Sequence, residues 1–194
     1  MPTKELIVVA GPNGAGKSTF VAEFLKDRPC PYLSADLIAT ELTIEEPASL
    51  QFAAGQEFLK RAQAHLSGQH DFIVETTLSG RTWRNYLEQA HALGFDITIF
   101  FIYLDSADTC VARVRERVRR GGHDVPEDDI RRRFSRSLLN FWKIYRHMAD
   151  HWAIVYNVGS TFVDIVFGER DQFTVSDEDL FRRLIEFVEA EADG

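Results

Sequence analysis

Residues 11–18 read Gly-Pro-Asn-Gly-Ala-Gly-Lys-Ser and match the pattern G-x-x-x-x-G-K-[ST] without a mismatch. They follow a β-branched run and precede apolar residues on helical spacing, which is the context that a phosphate-binding loop (P-loop) needs. Backbone N–H groups and the helix N-terminus would meet the phosphates. This chemistry assigns Lys17 to the β- and γ-phosphates of a nucleoside triphosphate and the Ser18 hydroxyl to Mg²⁺. The predicted nucleotide-binding residues are Gly11, Pro12, Asn13, Gly14, Ala15, Gly16, Lys17, Ser18 and Thr19.

Polar residues end two further predicted strands. Asp36 follows a short strand after the P-loop helix, and residues 75–77 follow the apolar run 72–74. In a parallel sheet such strand ends face the ligand crevice. Asp36 could therefore take a proton from an acceptor hydroxyl, or it could cap the next helix. Three roles are open for the residues at the other strand end, which are Glu75, Thr76 and Thr77. They could bind acceptor hydroxyls, help to hold Mg²⁺ through water, or cap the next helix.

The segment 113–136 holds nine arginines and five acids. Two arginine-bearing helices flank Gly121-Gly122 and are separated by Pro126, which is the pattern of a hinged lid that folds over phosphates. Arginine forks match phosphate oxygens and stabilise charge in phosphoryl transfer. Two alternatives are a solvated helix face paired with nearby acids and a nucleic-acid patch.

Strands that alternate with helices predict the elements that position these residues. Strands are predicted at 6–9, 32–34, 72–74, 97–104 and 153–156, helices at 19–26, 47–66, 81–93, 106–119 and 127–149. The segments 162–167 and 172–175 could form a hairpin before a closing helix over 177–190. We therefore expect an α/β, three-layer P-loop NTPase/kinase fold with a mostly parallel sheet of about five strands, helices on both faces and an Arg-rich helical lid. One domain is expected over 1–194, with the lid at about 113–136 and the C-terminal hairpin and helix at 162–191.

Length and composition exclude several classes of protein. The chain has 194 residues, 45% of them hydrophobic and 27% charged, which is typical of a globular domain with a sizeable core. Two cysteines make neither a disulfide framework nor a metal spacing. No apolar run approaches the roughly 20 residues of a membrane-spanning helix, and no signal peptide is recognised, so we expect a cytoplasmic protein without a membrane partner. The net charge of −8 argues against a nucleic-acid partner.

Other P-loop classes fit less well. A GTPase needs an N-K-x-D motif, which the sequence lacks. An ABC-type ATPase would agree with residues 78–80 and with a strand that ends at Asp105, but Arg81-Thr82 and Ser106 break its motifs. A small kinase has the right size and the required parts. The alternative is a nucleotide-binding regulatory ATPase module without a dedicated acceptor. After the fifth strand, Asn157 and Gly159 occupy a position where nucleotide kinases often cradle adenine.

Together these motifs resemble the zeta-toxin family of P-loop kinases, and the chain is most similar to its compact branch. The matching segments are 11–19, 34–39, 75–80 and 113–136. The resemblance implies transfer of the γ-phosphate of ATP or GTP to a hydroxyl of a sugar nucleotide, UDP-N-acetylglucosamine. It also implies that a small antitoxin protein can act as a partner and block the reaction.

The resemblance also implies roles for individual residues. Asp36 falls at the catalytic base, Lys17 at the P-loop lysine, and Glu75 and Thr77, with Thr76 between them, at the sugar-nucleotide site. Lid arginines fall at the γ-phosphate, where Arg117 and Arg133 are the preferred catalytic pair. The other candidates for phosphate contacts in the lid are Arg113, Arg120, Arg132 and Arg136.

Overall fold

A seven-stranded sheet forms the centre of the computed structural model, which describes residues 4–159 and 161–191. The strands are β1 (Lys4–Ala10), β2 (Tyr32–Ser34), β3 (Phe72–Thr76), β4 (Phe95–Tyr103), β5 (His151–Val158), β6 (Thr161–Glu169) and β7 (Gln172–Val175). Their order across the sheet is β2-β3-β1-β4-β5-β6-β7. The strands from β2 to β5 are parallel, whereas β6 and β7 are antiparallel to their neighbours.

Helices cover both faces of this sheet. They are α1 (Lys17–Asp27), α2 (Ala35–Glu41), α3 (Pro47–Gly68), α4 (Thr82–Ala92), α5 (Ala107–Arg119), α6 (Glu127–Lys143) and α7 (Glu178–Ala190), with a short 3-10 helix at Tyr145–Met148. The predicted P-loop kinase-like α/β fold is thereby confirmed. Among the described residues, no helix combines the length and the apolar character that crossing a membrane requires.

Side chains that alternate along the strands build a separate core on each face of the sheet. On one face, Leu6 and Val8 pack with α3, α4 and α7. On the other face, Ile7 and Val9 pack with α1 and α5. This double burial explains why the parallel strands are almost continuously apolar. The sheet packs between the two cores and positions the loops at the carboxyl ends of its strands.

Two predicted details differ from the structure. The sheet has seven strands rather than about five, because β6 pairs with β5 and carries the hairpin into the same sheet. The helix predicted to reach residue 149 ends at Lys143. The chain turns there, and the buried Tyr145 donates its hydroxyl to the carbonyl of Gly80 at 2.7 Å.

Candidate functional site

The carboxyl ends of β1, β2 and β3 meet at one edge of the sheet. Glu75 on β3 lies level with Val9 on β1 and with Ser34 on β2. The P-loop leaves β1 at this edge, and Asp36 lies two residues beyond the end of β2. Sequence segments that are far apart in the chain are therefore brought together in the crevice where parallel α/β sheets bind ligands.

The P-loop joins β1 to the first residue of α1, Lys17. The Lys17 side chain is buried, and its Nζ donates to the carbonyl of Pro12 at 3.0 Å. Gly16 has a φ of 96°, and a Cβ at this position would lie 2.2 Å from Nδ2 of Asn157. That Nδ2 donates to the carbonyl of Ala15 at 2.7 Å. Asn157 on β5 therefore braces the P-loop, and the adenine contact expected at this position stays a prediction.

Glu75 contacts both of the P-loop residues that are expected to do chemistry. Its Oε2 accepts hydrogen bonds from the Ser18 hydroxyl at 2.8 Å and from the Tyr32 hydroxyl. Its Oε1 lies 3.8 Å from Nζ of Lys17. Asp105, just beyond β4, accepts a hydrogen bond from the Tyr156 hydroxyl at 3.1 Å. Glu75 is therefore an acidic residue in direct contact with both Lys17 and Ser18.

Burial and charge act in opposite directions on these groups. Burial lowers the pKa of Lys17, and the carboxylates of Glu75 and Asp36 offset part of that effect. They thereby favour the charged ammonium that a phosphate requires. Burial also raises the pKa of Tyr32, and the Glu75 carboxylate raises it further. The Tyr32 hydroxyl therefore keeps its proton and remains a donor to Glu75.

Asp36 is the second residue of α2, and its side chain is half exposed. Ser34 occupies the N-cap position without a side-chain cap hydrogen bond, and Asp36 lies within the first turn, so Asp36 is not the capping residue that the sequence left open. Its Oδ2 lies 3.6 Å from Nη1 of Arg117. Nε and Nη2 of Arg117 are buried and have no hydrogen-bond partner within residues 4–159 and 161–191. Donors of this kind are well matched to phosphate oxygens.

Eight of the nine arginines of 113–136 fall into two groups. One group lies at the P-loop: Arg117 faces Asp36, Nη2 of Arg113 donates to the carbonyl of Asn157 at 3.4 Å, and Nη1 of Arg133 donates to Oδ1 of Asn13 at 3.2 Å. The other group pairs with acids on the surface and comprises Arg115, Arg119, Arg120, Arg131 and Arg132. Arginines that reach the P-loop and arginines of a solvated face thus occur on different side chains of the same helices, and a lid that closes over phosphates stays a prediction.

Three of the candidates for phosphate contacts are not brought to the P-loop. Arg120 is exposed and pairs with Glu116. Arg132 is exposed and pairs with Asp129. Arg136 is exposed as well. Of the arginines considered for the lid, the structure gathers Arg113, Arg117 and Arg133.

Three cavities have Asp36 in their walls. The phosphate-loop cavity, of about 400 Å³, also contains Lys17, Ser18, Thr19, Glu75, Arg113, Arg117 and Asn157. The hydroxyl-lined cavity, of about 290 Å³, also contains Ser34, Phe58, Thr76, Thr77, Ser79 and Arg133. The lid cavity, of about 180 Å³, also contains Ala39, Gln51, His123, Val125 and Pro126. Asp36 is therefore placed where these spaces meet.

Thr76 and Thr77 line the hydroxyl-lined cavity and do not cap a helix. Oγ1 of Thr76 accepts from the amide of Leu78 at 3.3 Å, and Oγ1 of Thr77 lies 2.9 Å from Oγ of Ser79. The next helix, α4, has its N-cap at Arg81. Both hydroxyls therefore shape the loop after β3 and face the same space as Asp36.

A magnesium ion fits the oxygen donors of Ser18 and Glu75, since hard cations prefer such ligands. Within 4–159 and 161–191, no group of three or more His, Cys, Asp and Glu side chains could hold a metal ion. In nucleotide sites, however, Mg²⁺ takes many of its ligands from phosphates and water. The residues present are thus suited to an ion that binds together with a nucleotide.

Comparison with known proteins gives a family and several relatives. A family model described as AAA_33, an AAA domain, matches residues 6–137. An uncharacterized protein of Haemophilus influenzae is 28% identical over 128 residues, which cover 66% of this chain and 91% of that protein.

Solved structures share the fold. A chain of the AvrRxo1-ORF1:-ORF2 complex with ATP superposes with a TM-score of 0.75 at 15% identity, covering 94% of this chain and 63% of that chain. This chain thus spans less than two thirds of the length of that neighbour. A chain of the PezAT chromosomal toxin-antitoxin system of Streptococcus pneumoniae superposes with a TM-score of 0.63 at 12% identity, covering 100% of this chain and 87% of that chain. At these identities the likeness is one of fold.

Proposed function

We propose that this chain, which belongs to the AAA_33 family of AAA domains, is a small-molecule kinase. It would transfer the γ-phosphate of ATP or GTP to an alcohol. The P-loop kinase-like fold accounts for the binding of a nucleotide. A kinase requires in addition a place for the acceptor and a base beside it. We assign the base to Asp36 and the acceptor to the hydroxyl-lined cavity.

The position of Asp36 between two cavities carries this proposal. Asp36 lines both the phosphate-loop cavity and the hydroxyl-lined cavity. A nucleotide hydrolase needs room only for a water molecule at the γ-phosphate. The second space, of about 290 Å³, is large enough for an organic acceptor. Its walls combine hydroxyls with one aromatic ring and one guanidinium, which supports a polar, hydroxyl-rich acceptor.

The residues then have distinct tasks in the reaction. The acceptor oxygen attacks the γ-phosphorus, the bond from that phosphorus to the β–γ bridging oxygen breaks, and the hydroxyl proton passes to the Asp36 carboxylate. Lys17 binds β- and γ-phosphate oxygens, and Arg117 and Arg133 contact the transferred group. Mg²⁺, held by Ser18 and Glu75, would neutralise phosphate charge.

A sugar nucleotide such as UDP-N-acetylglucosamine is the first acceptor to test, given the resemblance to zeta toxins. The lid cavity adjoins Asp36 and offers about 180 Å³ for the remainder of an acceptor larger than a hexose. One structural neighbour belongs to a toxin-antitoxin system. A protein that blocks the cavities around Asp36, as an antitoxin would, is therefore a partner worth seeking. We propose the cytoplasm as the compartment, since ATP and sugar nucleotides are available there.

The test is an acceptor-dependent transfer assay on the wild type and on Asp36→Asn. ATP or GTP is offered with Mg²⁺ and with a panel of sugars and sugar nucleotides, and the release of nucleoside diphosphate and the phosphorylated product are measured. We expect release that depends on one acceptor class. Asp36→Asn should reduce turnover at least about 100-fold, the usual contribution of a general base, while nucleotide affinity changes little.

The matched control is Asp128→Asn, which removes an exposed carboxylate on the lid helix α6. It should turn over like the wild type. If Asp36→Asn keeps full turnover, Asp36 is not the base. If the wild type hydrolyses ATP slowly with every compound in the panel and phosphorylates none, the chain is a nucleotide-binding ATPase module instead.

A further inference from the structure

Gly122 lies against the side chain of Arg117 at the end of α5. A Cβ added to Gly122 would lie 2.5 Å from Cγ and 3.3 Å from Cδ of Arg117, and 3.0 Å from its carbonyl oxygen. A carbon cannot approach another carbon to 2.5 Å without displacing it. Any residue other than glycine at this position would therefore push the stem of Arg117 away.

The backbone at the end of α5 creates this close approach. Gly121 has a φ of 84°, and its amide donates to the carbonyl of Val118 at 2.9 Å. The amide of Gly122 donates to the carbonyl of Arg117, also at 2.9 Å. These two bonds form the Schellman motif that closes many helices. The motif folds the chain back over the last turn and sets Gly122 on Arg117.

The guanidinium of Arg117 lies where a small displacement matters. Its Nη1 is 3.6 Å from Oδ2 of Asp36, and it is part of the wall of the phosphate-loop cavity. Its Nε and Nη2 have no hydrogen-bond partner within the described residues. A shift of the stem would move all three nitrogens relative to both Asp36 and the P-loop.

We propose that Gly122 is a positioning residue for Arg117. Its bare α-carbon lets the arginine stem lie along the end of α5, and this fixes the guanidinium between Asp36 and the phosphates of the bound nucleotide. The role of the phosphates rests on the proposed function. The contact between the two residues does not.

A double-mutant cycle tests the proposal with ATP as the probe. ATP affinity is measured by calorimetry for the wild type, Gly122→Ala, Arg117→Ala and the double variant. We expect Gly122→Ala and Arg117→Ala each to weaken ATP binding at least about tenfold, the size expected for lost hydrogen bonds to a charged group. In the Arg117→Ala background, Gly122→Ala should cause no further loss, since the displaced stem is already gone. An equal loss in both backgrounds overturns the proposal.

Thermal unfolding of the four proteins separates positioning from folding. Crowding of the Arg117 carbonyl persists in the double variant, whereas crowding of the Arg117 stem does not, so any stability loss from Gly122→Ala should be no larger in the Arg117→Ala background. Gly55→Ala is the control, because a Cβ there meets nothing within 4 Å, and it should bind ATP like the wild type. If Gly122→Ala unfolds in both backgrounds, Gly122 serves the fold and not Arg117, and the proposal is wrong.

Crystal structures of the nucleotide-free proteins test the proposal without any measurement of activity. In Gly122→Ala, the distance from Nη1 of Arg117 to Oδ2 of Asp36 should increase beyond its value in the wild type. An unchanged distance overturns the positioning role. If the wild type binds no nucleotide, the proposed function fails, and this distance still decides whether Gly122 positions Arg117.

Discussion

At the scale of single residues, Glu75 has three hydrogen-bond or ion-pair partners, and only some of them are expected to keep their contact with it when a nucleotide binds. Lys17 and Ser18 both contact Glu75, and both are expected to turn toward phosphates and metal. Tyr32 has no such second task. It donates to Glu75 from β2, and its raised pKa keeps the hydroxyl protonated. Tyr32 is therefore the partner that can hold the carboxylate in place throughout.

Tyr32→Phe should raise the Mg²⁺ concentration that ATP binding requires. The variant keeps the ring and removes only the hydroxyl that orients Glu75. Outer-shell partners of metal ligands typically contribute 10- to 100-fold in metal affinity, and we expect a loss of roughly tenfold here. The measurement is ATP affinity as a function of Mg²⁺ concentration.

Tyr86→Phe is the matched control for this experiment. Tyr86 lies on α4 and packs against the core on one face of the sheet. Loss of the Tyr86 hydroxyl should leave the Mg²⁺ dependence of ATP affinity unchanged. An unchanged Mg²⁺ dependence in Tyr32→Phe as well would mean that Glu75 needs no orientation by Tyr32.

Sequence alone could identify the P-loop and single out Asp36, but not the residues that support them. Lys17 and Ser18 belong to one contiguous pattern, and Asp36 follows a recognisable strand. Tyr32, by contrast, meets its partner 43 positions along the chain, and Asn157 meets Ala15 across 142 positions. Such contacts depend on the order of strands in the sheet, which no local spacing reveals.

At the scale of elements, α5 carries two of the arginines that reach the P-loop, and its start is fixed by Ser106. Oγ of Ser106 accepts from the amide of Asp108 at 3.0 Å and from that of Thr109 at 3.4 Å. Ser106 is therefore the N-cap of α5. Caps are predictable because they depend on residues only two or three positions away.

Ser106→Ala should destabilise the protein by about 1 kcal/mol, since two amides at the start of α5 lose their acceptor. The free energy of unfolding is measured by urea titration. Ser135→Ala, within α6, is the control and should be neutral or slightly stabilising, because alanine is the better helix former. Equal stability of Ser106→Ala and the wild type would show that water replaces the cap at no cost.

The elements that the sequence described less well are those decided by tertiary contacts. The hairpin segments were recognised as strands, but their place in the sheet depends on the pairing of β6 with β5. Phe173 on β7 packs against Trp142 and Trp152, with ring centroids about 6 Å apart. The end of α6 similarly depends on the bond from Tyr145 to Gly80, which joins residues 65 positions apart.

At the scale of the whole molecule, the acidic chain neutralises most of its own cationic segment. Glu116, Glu127 and Asp129 pair with arginines three or four residues away along the helices. That spacing is visible in the sequence, but it does not separate the two groups, because Asp129 also lies 3.5 Å from Arg133, which reaches the P-loop. Which of the remaining arginines face the P-loop could not be read in this way, since it depends on how α5 and α6 pack over the sheet.

At the opposite end of the sheet, the carboxylate of Asp150 contacts residues of three different parts of the chain. Its Oδ2 accepts from the amide of Ile97 at 3.0 Å and lies 3.2 Å from Nε2 of His91, while its Oδ1 is 3.7 Å from Nη2 of Arg170. These partners come from β4, α4 and the turn between β6 and β7. Asp150 therefore links the parallel strands to the C-terminal hairpin, far from the P-loop edge.

Asp150 should make stability depend on pH in the acid range. Burial opposes its ionisation, but the bonds from Ile97 and His91 and the charge of Arg170 outweigh burial and lower its pKa below the ordinary 3.8. A lowered pKa contributes stability above 3.8 that is lost as the pH falls through the folded value. Asp150→Asn should therefore cost on the order of 1 kcal/mol at pH 7 and progressively less below pH about 4, measured by urea unfolding at each pH. The exposed Asp164 on β6 provides the control, and a constant difference between Asp150→Asn and the wild type at all pH values would contradict the assignment.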